Sequence, residues 1–427
     1  MKLDSNNDLL KPIFIVFIAT FIGGICNYLY QLYMGRILGP TEYGIFGSLF
    51  AISYIIFVLA GTIQTSSARF ISNFVGRNET EKIRPFLSGM YKRMFILGVV
   101  ILFIFAICSP FIASFLRINS TIPVIIVGTF FLFSMIPPIN MGVMQGLQKF
   151  VPFGFCVILN FSSKLLFGVL LVSLGFGVNG ALIAFSIGAA IALLASFYYL
   201  NPFIKKIPTS KTINVNFADV YKYSLPTILT MFCFALPANV DVIIVKHVFS
   251  PEQAGFYTAT SVIGKIVLFI TDAIAIAMFP KVTEAYAMKK SSISIFIQSI
   301  FFTGLISGSV AIFYWFFPSL VVEIPFGAQY IQAIPLVKIY GIAMFLFALS
   351  FVVMRYSLAI HDFKFVVIFS LFSFIGVGLI SIFHNSMIEM ITILIFTYLA
   401  WLIFSIIYII YRVPRYNKKI MAGYYDT

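Results

Sequence analysis

The sequence predicts an all-α integral membrane protein of about twelve transmembrane helices. Of its 427 residues, 61% are hydrophobic and 10% are charged, whereas soluble domains contain roughly 25% charged residues. The apolar runs are about 20 residues long, which is the length of a membrane-crossing helix, and they do not alternate as barrel strands do. Lys and Arg are concentrated in every second segment between these runs, as in multi-pass proteins.

Twelve apolar stretches are the predicted helices. The first is too long for a signal peptide and has no small-residue cleavage site, so we expect it to be retained. No segment between the stretches is long enough for a soluble domain. The stretches cover about 12–34, 43–66, 94–116, 121–145, 152–175, 179–202, 224–247, 254–279, 293–317, 331–356, 364–384 and 388–411.

The basic residues predict the orientation. Segments on one side of the predicted membrane contain 22 of the 28 Lys and Arg residues, and those on the other side contain only Arg36 and Arg117. Because cytoplasmic loops are enriched in Lys and Arg, both termini are expected in the cytoplasm and the protein in the plasma membrane. The same topology explains the net charge of +14, so no nucleic-acid partner is expected.

A short motif occurs twice. Pro40 and Gly44, and again Pro251 and Gly255, belong to a P-x-x-x-G-x-aromatic pattern that opens the next predicted helix. The two copies are 211 residues apart, about half the chain. The repetition predicts two halves of six helices each, and since six is even, the halves have the same orientation in the membrane.

This repeat defines the predicted domains. The N-terminal lobe covers 1–203, a cytoplasmic linker covers 204–222, and the C-terminal lobe with a short cytoplasmic tail covers 223–427. Two such lobes around a central cavity are a common arrangement for alternating access.

Six charged residues are candidates for positions at membrane depth, where charge is costly and usually faces a cavity or a partner. Lys164 and Lys265 lie near the middle of their helices, one in each half. They are predicted either to line a hydrated cationic cavity that attracts an anionic head group, or to form buried ion pairs with an Asp. The six are Lys164, Asp241, Lys246, Lys265, Asp272 and Lys338.

Other charges have simpler explanations. Lys246, Lys338 and Arg36 are close enough to the outer surface for their long side chains to reach it. Asp272 follows Lys265 by two helical turns, so it is either a structural partner of that lysine or part of the inner membrane interface.

Motifs of catalysis, metal binding and nucleotide binding are missing from the sequence. It contains no H-E-x-x-H, Walker A or nucleophile-elbow pattern. The histidines do not cluster, and the cysteines lie singly in apolar runs. We therefore expect no metal, no cofactor and no enzymatic activity. A membrane glycosyltransferase or ligase is the less favoured alternative, because the outer loops are short. The histidines are His247, His361 and His384, and the cysteines are Cys26, Cys108, Cys156 and Cys233.

Several motifs resemble those of prokaryotic polysaccharide-export flippases. GRILGPTEYG at 35–44, which includes Gly39, resembles the R-x-L-G-P-x-x-Y-G signature after the first helix of that family. QGLQKF at 145–150 resembles its Q-G-x-x-K/R-F turn, and GFGVNGA at 175–181 resembles its link between the fifth and sixth helices. The start of the second half in that family resembles three features of this sequence: Asp241, the second copy of the repeat, and Phe279-Pro280.

The family comprises the O-antigen, capsule and teichoic-acid flippases of the multidrug/oligosaccharidyl-lipid/polysaccharide exporter superfamily. The resemblance implies two six-helix lobes and transport of polyprenyl-(pyro)phosphate-linked oligosaccharide without ATP, coupled to an ion that the sequence does not identify. It also implies contact with membrane lipids and with polysaccharide-assembly enzymes. Lys164 and Lys265 suit a cationic cavity on physical grounds only, and the hypothetical cavity set also includes Asp241, Asp272, Arg36 and Lys246.

The main alternative is an ion-coupled multidrug antiporter of the same superfamily. An antiporter for cations predicts an acidic cavity, whereas a flippase for an anionic lipid predicts a basic one. The six candidates for charges within the membrane are four lysines and two aspartates, an excess that favours the flippase.

Overall fold

The structure, a computed structural model, describes residues 10–207, 217–288, 290–360 and 363–421. All regular secondary structure in these residues is helical. Large apolar side chains point outward from the helices, among them Ile107, Phe111 and Leu194, which are 76%, 75% and 71% exposed. A helix whose outer face is this apolar is suited to lipid rather than to water. The predicted all-α integral membrane fold is confirmed.

The chain forms two compact units, with the boundary between Phe232 and Cys233. Unit 1 contains α1 (Leu10–Gly76), α2 (Ile83–Phe115), α3 (Ile122–Ser134), α4 (Pro137–Gly146), α5 (Phe150–Leu171), α6 (Gly177–Ile204) and most of α7 (Phe217–Ala235). Unit 2 contains α8 (Val240–Val248), α9 (Pro251–Gly264), α10 (Ile266–Ala287), α11 (Ile293–Phe316), α12 (Pro318–Phe326), α13 (Ile334–Ala359), α14 (Phe363–Ile382) and α15 (Met387–Met421).

The start of α7 packs within unit 1. The Phe217 ring stacks on Phe86 with ring centroids 6.1 Å apart, and the Arg93 guanidinium lies 3.6 Å from the Phe217 centroid. The residues 217–222 at the end of the predicted linker 204–222 are therefore helical, and the boundary between the units falls later, within α7.

The number of membrane crossings agrees with the twelve predicted. Eight helical stretches of the described residues are long and apolar enough to cross a membrane, and the bent pair of α7 and α8 makes a ninth. Two of the eight, Phe14–Gly76 and Phe150–Ile204, contain 63 and 55 residues. At about 1.5 Å per residue each exceeds two bilayer cores, so each provides two crossings. The shorter apolar helix Val367–Ile382 completes twelve.

Glycines interrupt both of the double-length stretches. Gly39, with φ 71°, leaves the helical conformation inside α1, and Pro40 follows it. Between α5 and α6, Gly175 and Gly177 have φ 88° and 51°, which glycine tolerates better than residues with a Cβ. A Cβ on Gly177 would also lie 2.9 Å from the Glu42 carboxylate. The GFGVNGA segment therefore forms a turn, and at Gly177 it also lies close to the Glu42 side chain.

Several predicted helices are divided. The fourth is α3 and α4, separated before Pro137, and the seventh is α7 and α8, which meet at a bend of 50°. The eighth is α9 and α10, divided at Lys265. The short helix α12, after α11, was not predicted. Breaks at membrane depth are tolerated where neighbouring groups satisfy the freed backbone.

Candidate functional site: buried lysines in each unit

Lys164 is enclosed by aromatic rings in unit 1. It lies on α5 and is 5% exposed. Its Nζ lies 4.8 Å from the ring centroids of Tyr30 and Phe185 and 5.2 Å from that of Phe161. An ammonium within about 6 Å of an aromatic face is attracted to the ring quadrupole. The Nζ also donates a hydrogen bond to Asn27 Oδ1 on α1.

Close helix packing fixes this arrangement. Gly188 on α6 faces Lys164, and a Cβ there would lie 3.1 Å from the lysine Cβ and 3.0 Å from the Asn160 carbonyl oxygen. Tyr30 is fully buried and donates to the Ala181 carbonyl oxygen at 2.6 Å. Three helices, α1, α5 and α6, therefore determine where the ammonium lies.

The charge of Lys164 is not balanced locally. Among the described residues, no carboxylate oxygen lies within 4.0 Å of its Nζ. The contacts that remain are π faces and one neutral amide oxygen. Such contacts stabilise a cation by about 0.5–2 kcal/mol each, but none of them supplies a negative charge to neutralise it. Unit 1 therefore shows neither of the two predicted arrangements in this conformation. Lys164 has no described ion-pair partner, and it does not lie in an open, hydrated position.

In unit 2, the break between α7 and α8 brings polar groups together. The backbone there is not helical from Leu236 to Asn239. Within it, the Pro237 oxygen accepts from Tyr398 at 3.0 Å, and in the last turn of α7 the Cys233 oxygen accepts from Ser373 at 2.8 Å. Irregular backbone in transporter helices commonly lines a binding site.

Asp241 follows this break and is fully buried. Its Oδ2 accepts hydrogen bonds from Tyr257 at 3.0 Å and Tyr340 at 2.8 Å, and its Oδ1 accepts one from the Val242 amide at 2.9 Å. Hydrogen bonds to an ionised carboxylate are worth about 1.5–3 kcal/mol each. The carboxylate is therefore fixed in position by α9 and α13.

Lys265 lies at the break between α9 and α10. Its Nζ donates to Asn239 Oδ1 at 3.2 Å, and Asp241 attracts it electrostatically. Lys265 is the residue directly before α10, and Asp272 lies within that helix, two turns further on. The side chain of Asp272 lies outside the described residues.

The other predicted candidates are more scattered. Lys246 is 1% exposed, so the prediction that its side chain reaches the membrane surface is wrong, because α8 is enclosed by neighbouring helices. Arg36 is exposed at the end of the first crossing, and Lys338 is half-buried on α13. No group of three or more His, Cys, Asp or Glu side chains in the described part of the chain could bind a metal ion.

The neutral partners of the two lysines were not among the predicted site residues. Asn27 and Asn239 are polar residues inside apolar runs, and they are 212 residues apart, almost the spacing of the repeat. That spacing was a usable signal. The ring partners Tyr30, Phe161 and Phe185 could not be selected from a chain with 51 Phe and 22 Tyr residues.

The fold is that of known membrane transporters. An inward-facing multidrug resistance MATE family transporter of the MOP superfamily has a TM-score of 0.79 and 14% identity, with 93% of this chain and 96% of that chain covered. A MOP superfamily transporter from Pyrococcus furiosus has a TM-score of 0.72 and 17% identity, with 99% and 100% covered. The chain is thus a multi-pass membrane protein with the MOP superfamily transporter fold.

The sequence gives the narrower assignment. Residues 33–335 match the family described as "Polysaccharide biosynthesis protein", which is more than half of the chain, so the protein belongs to that family. It is also similar to an uncharacterized membrane protein of Methanocaldococcus jannaschii, with 23% identity over 320 residues, 72% of this chain and 74% of that protein. The flippase-type resemblance of the motifs is thereby confirmed.

Proposed function

We propose that this protein moves a polyprenyl-(pyro)phosphate-linked oligosaccharide from the inner to the outer leaflet by alternating access. The observation that carries the proposal is the buried Lys164 side chain, whose Nζ has no described carboxylate within 4.0 Å. A diphosphate has at least two negative charges and strong acceptor oxygens, and an ammonium is a suitable donor for them. Membership of the polysaccharide biosynthesis family supports an oligosaccharide as the cargo.

The second candidate function is multidrug efflux coupled to an ion. It is favoured by the likeness in fold to the inward-facing multidrug resistance transporter. A cationic drug would, however, be repelled by a buried ammonium that has no carboxylate beside it among the described residues. The Pyrococcus furiosus structure is described as having a binding pocket of reverse polarity that suggests a different function, so this fold accommodates pockets of more than one polarity.

Reconstitution distinguishes the two functions. The purified protein is placed in liposomes with a polyprenyl-diphosphate oligosaccharide, and a membrane-impermeant glycosidase reports how much sugar crosses to the other leaflet. We expect flipping by the wild type and a fall of about tenfold or more for Lys164→Met, since a charge-assisted hydrogen bond is worth about 1.5–3 kcal/mol. Met retains the length and packing of the side chain without its charge.

The matched control is Lys149→Met. The Lys149 Nζ also lies over an aromatic ring, 5.0 Å from the Phe203 centroid, but the residue is exposed at the end of its turn. Its replacement is expected to leave flipping unchanged. If the wild type moved ethidium across the liposome membrane but not the oligosaccharide lipid, the drug antiporter would be the better assignment.

A further inference from the structure

An asparagine contacts a lysine in each unit. Asn27 Oδ1 accepts from Lys164 in unit 1, and Asn239 Oδ1 accepts from Lys265 in unit 2. The two asparagines are 212 residues apart, against 211 for the prolines of the repeated motif. They therefore occupy almost the same position in the two halves of the sequence, shortly before the proline that opens the next helix.

The lysines, by contrast, do not occupy repeated positions. Lys164 is on α5, the fifth predicted crossing of the first half, whereas Lys265 lies at the break between α9 and α10, in the second predicted crossing of the second half. The two lysines are 101 residues apart, far from the repeat spacing. Each half thus brings an ammonium to its asparagine from a different helix, so duplication of one ancestral pair does not account for both contacts.

The choice of an amide as partner has a chemical consequence. A carboxylate would neutralise the ammonium, whereas an amide oxygen orients it and leaves its charge in place. An ammonium has three donors, and the one described hydrogen bond of each lysine goes to its asparagine. Two N–H groups per lysine therefore remain for acceptor oxygens, with ring faces as the other neighbours of Lys164.

We infer that Asn27 and Asn239 are positioning residues that orient Lys164 and Lys265 to bind an anionic oxygen group, the diphosphate of the substrate. This inference rests on the proposed function for the identity of the anion. The asparagines act through the lysines: they fix the direction of the ammonium without cancelling its charge. Lys164 is buried whereas Lys265 is half-buried, and because electrostatic attraction is stronger away from water, Lys164 is the stronger anion site of the two.

The decisive substitution is Asn27→Asp, which changes one amide nitrogen to oxygen with almost no change in shape. It converts the contact with Lys164 into an ion pair. A merely structural contact would be retained or strengthened, and ligand binding would not change. If the contact instead positions the ammonium, the variant should still fold, but the new carboxylate at position 27 should occupy the place where the anion binds.

Binding is measured on the purified full-length protein with farnesyl diphosphate as the probe and farnesol as its uncharged counterpart. We expect the wild type to bind farnesyl diphosphate, Asn27→Asp to bind it at least about tenfold more weakly at an unchanged or raised Tm, and Asn239→Asp to show a smaller loss. Lys164→Met should lose the preference for the diphosphate over farnesol. Asn27→Ala, which removes the acceptor without adding charge, should weaken binding by a smaller factor than Asn27→Asp.

Asn140→Asp is the matched control. Asn140 is fully buried in unit 1, where it accepts from Tyr91 and donates to Ser196 at 2.8 Å. Neither of these described partners is a lysine, so the Tm should fall while the folded fraction, isolated by size exclusion, binds farnesyl diphosphate as the wild type does.

Unchanged binding by Asn27→Asp and Asn27→Ala would overturn the inference, and so would a wild type that binds farnesyl diphosphate no better than farnesol. Failure of the proposed function gives a different pattern. The liposomes would then show no flipping of the oligosaccharide lipid, although anion binding would still depend on Asn27. Conversely, flipping that persists in Asn27→Asp at the wild-type rate would leave the proposed function standing and remove the role of the asparagine.

Discussion

Replacing Gly264 by alanine is expected to destabilise unit 2. Gly264 is the last residue of α9 and is buried beside the ring of Tyr340 on α13. A Cβ at Gly264 would lie 2.3 Å from Tyr340 Cδ1, 2.7 Å from its Cε1 and 3.2 Å from Met344 Cγ. The first two distances are too short for any carbon contact, and because the ring is fully buried, it can move only by displacing its own neighbours.

The size of the effect follows from two costs. Overpacking in a well-packed interior costs about 1–3 kcal/mol. A displaced Tyr340 also weakens its 2.8 Å hydrogen bond to the buried Asp241 carboxylate, a type of bond worth about 1.5–3 kcal/mol. Since the ring yields only in part, we expect a loss of about 2–5 kcal/mol in the free energy of unfolding. For a unit of this size, at about 2–4 °C per kcal/mol, that corresponds to an apparent Tm lowered by about 4–20 °C.

The measurement is thermal unfolding of the detergent-purified protein, with Gly378→Ala as the control. Gly378 lies within α14 of the same unit, and a Cβ there has no atom within 4 Å. Because alanine is the better helix former by up to about 1 kcal/mol, the control should be as stable as the wild type or slightly more stable. If both variants unfolded at the wild-type temperature, the packing of Tyr340 against Gly264 would not be a determinant of stability.

Two further outcomes are expected. Gly177→Ala should lower the Tm of unit 1, because position 177 has φ 51° and the new Cβ would lie 2.9 Å from a Glu42 carboxylate oxygen. The double variant with Glu42→Ala should recover part of the loss, and no recovery would mean that backbone strain alone causes it. In a cysteine-free background, a cysteine at Ser120 should react with an impermeant thiol reagent outside intact cells and one at Lys206 should not. External labelling at Lys206 would reverse the predicted orientation.

The sequence alone determined the membrane fold. Length and apolarity of the runs predict twelve crossings because a helix must span about 30 Å of hydrocarbon with all its backbone groups paired. The same reasoning found Lys164 and Lys265, since a cation in an apolar run is costly wherever it points. Pro40 and Pro251 identified the repeat, because the start of a helix depends on local backbone geometry.

Only the tertiary structure decided what surrounds those charges. Asn27 reaches Lys164 across 137 residues, and Asn239 reaches Lys265 across a helix break. Depth along a helix, which the sequence does give, placed Lys246 near the surface, yet packing around α8 buries it. Hydropathy is a property of each segment by itself, whereas the partners of a buried charge depend on which helix faces meet. In an apolar chain many faces are equally able to pack, and shape at positions such as Gly188 and Gly264 selects among them.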